Sequence, residues 1–101
     1  MNTDNLILQA KARFEHAPAR RVLKEKYEAK MVFAYNSGMF RAGPDLLTTL
    51  MSCPGNDAVI LDLYENPVKI IVNELKSLSQ QRWQEQMNAW LVEYETLNGR
   101  R

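Results

Sequence analysis

With 101 residues and 11.7 kDa the chain has room for one domain, since single domains run to roughly 100–150 residues. Apolar residues make up 46% and charged residues 25%, close to soluble-domain averages, which excludes a disordered chain and a membrane-embedded one. Net charge is +1, from 13 Lys and Arg against 12 Asp and Glu, so there is no global basic field to draw in nucleic acid.

Leu6, Ile7, Ala10 and Phe14 recur at helical spacing after Thr3-Asp4, a pair suited to capping, and this predicts a helix over about residues 4 to 16. Pro18 lacks an amide hydrogen and disfavours helical geometry at Ala17, so a break is expected there, followed by a short helix carrying Val22 and Leu23. From Tyr27 the period becomes two: Tyr27, Ala29, Met31, Phe33 and Tyr35 predict a strand with one apolar face. Asn36-Ser37-Gly38 then reads as a turn, with Asn36 and Gly38 accepting positive φ, and Met39–Ala42 as the returning strand.

Gly43-Pro44-Asp45 opens a helix in the favoured manner, with Leu46, Leu47, Leu50 and Met51 as its apolar stripe and Cys53-Pro54-Gly55-Asn56 as its end. Residues 58 to 64 form a nearly continuous apolar run of strand formers, and Val68–Val72 is its antiparallel partner across Glu65-Asn66-Pro67. Asn73 is placed to cap a last helix carrying Leu75, Leu78, Trp83, Met87, Trp90, Leu91, Tyr94 and Leu97, ended by Asn98-Gly99, with a restart near Ser79. The expected fold is α+β: a small, strongly bent antiparallel sheet with an N-terminal helix and a long C-terminal helix in one domain, residues 1 to 101. Phe33, Leu61, Ile70, Trp83 and Trp90 are the expected centre of its core.

The inventory for catalysis is thin. The sole histidine, His16, has no other His or Cys at ligand spacing, and the sole cysteine, Cys53, excludes an internal disulfide and a cysteine-based metal site. The four glycines fall where turns and caps want them, so no phosphate-binding loop is formed. No catalytic residue, metal or cofactor is expected, and the chain is read as a non-enzyme.

Two features are candidates for binding. Trp83, Met87, Trp90 and Tyr94 repeat at intervals of 4, 3 and 4, a heptad-like stripe that serves either the core or a contact with further copies of the chain. The first 30 residues hold seven cations against four anions, with Arg20, Arg21 and Lys24 close together, which serves a solvated helix face or a phosphate contact.

The segment Leu61-Asp62-Leu63-Tyr64-Glu65-Asn66-Pro67-Val68-Lys69-Ile70 resembles the first signature motif of Sm and Sm-like proteins. That resemblance implies a bent, open-barrel sheet after an N-terminal helix, with Tyr64 stacking on an RNA base, Asn66 reading its edge and Asp62 orienting Asn66. Glycines before Asp62 and the family's second motif are missing, so the match spans about ten residues. Separately, Lys11–Ala17 and Arg82–Leu91 are similar to small proteins of marine T-even-like phages, a resemblance that implies no particular activity and places the protein in host cytoplasm. The expected reading is a small structural or accessory protein working through protein contacts and self-association, with an RNA-binding module as the alternative, no membrane partner and a cytoplasmic location.

Overall fold

The computed structural model describes the backbone of residues 3–99 and the side chains of residues 17–99. The chain runs α1 (Thr3–Lys30), β1 (Val32–Tyr35), β2 (Gly38–Arg41), α2 (Pro44–Met51), β3 (Asp57–Leu61), β4 (Pro67–Ile71) and α3 (Val72–Gly99). It is α+β, as expected, but the strands form two separate two-stranded antiparallel sheets, β1-β2 and β3-β4, and no barrel closes. These two sheets do not bear out the open-barrel form implied by the Sm-like resemblance.

The expected break at Pro18 does not occur, because α1 is continuous with Pro18 in its interior. An interior proline costs about 3 kcal/mol, and here strong helix formers follow it while Leu23 and Tyr27 anchor the next turns by burial. The expected strand from Tyr27 starts only at Val32. Tyr27 and Met31 are both buried, and a spacing of four satisfies a helix face as well as a period of two, so the same pattern served either structure. The expected stripe Leu6, Ile7, Ala10 and Phe14, and His16, fall outside the described side chains.

The first hairpin pairs Phe33 with Phe40 and Tyr35 with Gly38. Its two-residue loop has positive φ at Asn36 (46°) and Ser37 (69°), the mirror-image turn that matches the twist of a hairpin. Gly38, expected to supply positive φ, instead opens β2 and is needed for room: a Cβ there would stand 2.7 Å from Val68 Cγ2 and 3.0 Å from Phe40 Cε2. Val68 is buried and stiff at χ1, so Gly38→Ala is expected to cost about 1–3 kcal/mol through overpacking, read from the shift in a urea unfolding midpoint. An unchanged midpoint would show that the hairpins separate freely at this point.

The second hairpin pairs Ala58 with Ile70 and Ile60 with Val68, and those residues point inward. The alternate residues therefore face out, and Leu61, expected in the core, is 61% exposed. The core itself gathers Met31, Phe33, Phe40, Ala42, Leu46, Leu50, Ile60, Val68, Ile70 and Leu75 between the hairpins, α2 and the first turns of α3, with Trp83 and Met87 packed against its side.

α3 is continuous through Ser79, which is buried. The cap expected from Asn73 comes from a different asparagine. Asn56 accepts the Val72 N–H on its main-chain oxygen at 2.7 Å and the Asn73 N–H on its side-chain Oδ1 at 2.9 Å, satisfying two donors that a helix start leaves open.

Candidate contact surface

Asp62 sits at the end of β3, buried, and its carboxylate organises the turn between β3 and β4. Oδ1 accepts the main-chain N–H groups of Tyr64 at 3.0 Å and Asn66 at 2.9 Å, while Oδ2 accepts the N–H of Met39 at 3.1 Å. These bonds hold its carboxyl below the usual carboxylate range, led by Asn66 and then Met39, against the opposing effect of burial. The turn is closed further by the Asp62 N–H on the Asn66 carbonyl at 2.9 Å and by Glu65 in the left-handed region at φ 64°. An acidic residue at position 62 is thus used for main-chain capture.

The same residue ties the hairpins together. Leu63 donates its N–H to the Met39 carbonyl at 2.7 Å beside the Asp62 to Met39 bond, which occupies the outer edge of β2. On the other side, Asn36 Nδ2 donates to the Lys69 carbonyl at 2.6 Å and the Ile71 N–H donates to the Tyr35 hydroxyl at 3.3 Å, which occupies the outer edge of β4. Sequence marks Tyr35 only as a strand residue and Asn36 and Asn56 only as turn residues, with none of these long-range bonds. A side chain that bonds to the main chain of a distant strand leaves no local pattern.

Of the residues carried over by the Sm-like resemblance, Asp62, Tyr64 and Asn66 share this one turn. Asn66 is exposed and the Tyr64 ring is 68% exposed. Arg20, Arg21 and Lys24 lie elsewhere. They are exposed on α1, and at 1.5 Å per residue Arg20 is about 16 Å along the helix axis from Met31, where the strands begin. Lys24 is partnered along its own helix by Glu28 at 3.7 Å. No cavity among the described residues is lined by members of both groups.

The stripe on α3 is spent largely within the chain. Trp90 stacks on Tyr27 of α1, with ring centroids 5.9 Å apart and planes 6° from parallel. Glu93, one turn on, accepts hydrogen bonds from Lys26 Nζ and the Tyr27 hydroxyl, both at 2.6 Å. The Lys26 ammonium, then the Tyr27 hydroxyl, hold the Glu93 carboxyl below its ordinary value. Glu93 in turn raises the pKa values of Lys26 and Tyr27. Trp83, Met87 and Trp90 are half-buried, and of the four only Tyr94, at 39%, counts as exposed. Between this helix pair and the hairpins, Trp83, Trp90, Met31, Leu46, Leu61 and Leu63 help to line an open cleft of about 550 Å³.

Several exposed apolar residues lie on the second hairpin and its turn. Val59 is 65% exposed, and with Leu61, Ile71, Leu63 and Tyr64 it spreads aliphatic and aromatic surface over the outward face and the turn. Lys69, opposite Val59, and Asp57, opposite Ile71, stand on the same outward face.

Cys53 is half-buried with its thiol directed at the Thr49 carbonyl at 3.5 Å, and among the described residues no three of His, Cys, Asp and Glu are placed to hold a metal ion. No helix among the described residues is long and apolar enough to cross a membrane. Neither a family model nor a curated protein nor a solved structure matches the chain.

Proposed function

We propose that this protein is a non-enzymatic accessory protein that works through protein contacts, including contacts with further copies of itself. The observation that carries the reading is the outward face of the second hairpin, where Val59, Leu61, Tyr64 and Ile71 stand exposed together. Lys69 and Asp57 stand on the same face, cross-strand from Val59 and Ile71, while Asp62, Asn36 and Tyr35 around it are engaged in main-chain bonds. A face with this much exposed apolar area favours burial against another protein over chemistry on a small substrate.

The test pairs two measurements. Light scattering on the pure protein from low to several hundred micromolar is expected to give a mass that rises above the 11.7 kDa of one chain and holds when salt is increased, because apolar contacts are not screened. In parallel, titration with uridine-rich RNA at two salt concentrations is expected to show no binding at physiological salt. The exposure of Tyr64 is what keeps the RNA reading in view. If RNA does bind, Tyr64→Ala should weaken it roughly tenfold or more, the worth of one stacked base, and that outcome would replace the protein-contact reading.

A further inference from the structure

We infer that the free edge of β3 is a self-pairing strand: two copies of the chain join β3 to β3 antiparallel about a two-fold axis at Val59, making one four-stranded sheet from two hairpins. The inference rests on the self-association proposed above and says where it occurs.

In an antiparallel pair, alternate residues direct their main-chain groups to the partner strand, and the residues between them direct theirs to the far side. The β3-β4 ladder is bracketed by the Val72 to Asn56 and Asp62 to Asn66 main-chain bonds, so the even-numbered residues of β3, Ala58 and Ile60, face β4. Asp57, Val59 and Leu61 therefore present their N–H and C=O groups on the opposite edge. Among the described residues none of these groups has a hydrogen-bond partner apart from solvent.

The other edges are occupied or guarded. Asp62 and Leu63 hold Met39 on β2, and Asn36 and Tyr35 hold Lys69 and Ile71 on β4. The β1 edge at Ala34 opens on a cleft walled by Gln81, Arg82 and Glu85 of α3, the kind of charged cover that blocks strand addition. On β3 charge stands only toward the ends of the edge, with Asp57 at one and, at the other, the open cleft that Leu61 lines together with Arg41, Asp45 and Trp83, and Val59 between them is 65% exposed.

The occupant that fits is a second copy. With Val59 opposite Val59 of the other chain, each Asp57 lies opposite a Leu61, and all three edge residues of both chains complete their main-chain bonds. The two Asp57 carboxylates fall at opposite ends of the paired segment, about 14 Å apart along the strand, so no like charges meet. On the outer face Leu61, Val59 and their two counterparts form one apolar stripe. The contact is isologous and closes at two chains. The contact is small, one five-residue strand from each chain, so a weak dimer that returns to monomer on dilution is expected.

The ladder geometry also supplies the test. Val59 gives no hydrogen bond to β4, so Val59→Pro removes only an outward N–H and leaves the hairpin's own ladder intact. Val59→Lys adds a charge at the two-fold axis and serves if the proline disturbs the strand. Ile71→Lys alters the same outer face away from the β3 edge. By light scattering and circular dichroism, the parent is expected to approach twice the chain mass at high concentration. Val59→Pro and Val59→Lys are expected to stay near 11.7 kDa with unchanged secondary structure, and Ile71→Lys to dimerise like the parent. A parent that oligomerises while both folded Val59 variants do so equally overturns the edge and leaves self-association standing. Dissociation by Ile71→Lys overturns it in favour of face-to-face packing. A parent that is monomeric throughout overturns both.

Discussion

Phe40→Ala is expected to be the most destabilising single truncation in the molecule. The ring is 2% exposed and lies 6.4 Å from both the Phe33 and the Tyr35 rings, tilted against the first and edge-on to the second. It stands at the point where β2 meets the second hairpin, with the buried Leu46, Leu50 and Leu75 in the same cluster. Removing a buried phenyl ring forfeits its transfer free energy and leaves a cavity that flanking aromatic rings fill poorly, about 3–5 kcal/mol. Against a total of about 5–15 kcal/mol for a small domain, that loss moves a large share of the molecules toward unfolding. At roughly 4–8 °C per kcal/mol for a domain of this size, the thermal midpoint should fall by well over ten degrees. Phe40→Leu keeps most of the volume and should lose much less. Equal stability of parent and Phe40→Ala in calorimetry would mean that the hairpins are not held through this ring.

The second large effect belongs to Asp62. In Asp62→Ala the N–H groups of Met39, Tyr64 and Asn66 lose their acceptor together, so the turn loosens and the link between hairpins opens. Asp62→Asn keeps one oxygen for Tyr64 and Asn66 but turns a donor toward the Met39 N–H, and should fall between the parent and Asp62→Ala in thermal midpoint. The dependence on pH has a definite sign. A carboxyl held below its ordinary value contributes stability that is present above the unfolded-state pKa of about 3.9 and is lost as pH falls through the folded value. The gap between parent and Asp62→Asn should therefore be wide at neutral pH and narrow on acidification below about pH 5. Glu93 also lies below its ordinary value and adds to the acid loss, but equally in both proteins, so the difference isolates Asp62. Stability curves that run parallel from pH 7 to pH 3 would show that the carboxylate charge plays no part in the turn.

What the sequence by itself determined was local. Apart from the second helix expected after Pro18, the order of helices and strands, both hairpins and the start of α2 at Pro44 follow from turn chemistry and apolar spacing that act within a few residues. Asp62 and Asn66 were brought together only by the Sm-like resemblance, and the structure joins them through the Asn66 main-chain N–H on the Asp62 carboxylate. Decisions needing a distant partner were settled only by the tertiary structure. Tyr27 and Met31 fit a helix and a strand equally, and the contact of Tyr27 with Trp90 and Glu93 is made only on the helix. The apolar run from Ala58 to Leu63 carries no parity of its own, so Leu61 read as core until Val68 and Ile70 on the paired strand drew Ile60 and Ala58 inward and turned Leu61 out. The α3 stripe Trp83, Met87, Trp90 and Tyr94 read as core or as a contact between copies, and α1 took up part of it through Tyr27 on Trp90. Which backbone groups remain free, above all those of Asp57, Val59 and Leu61, is likewise fixed by ladder register and by which neighbour covers which edge, and neither of those is written in any stretch of sequence short enough to read locally.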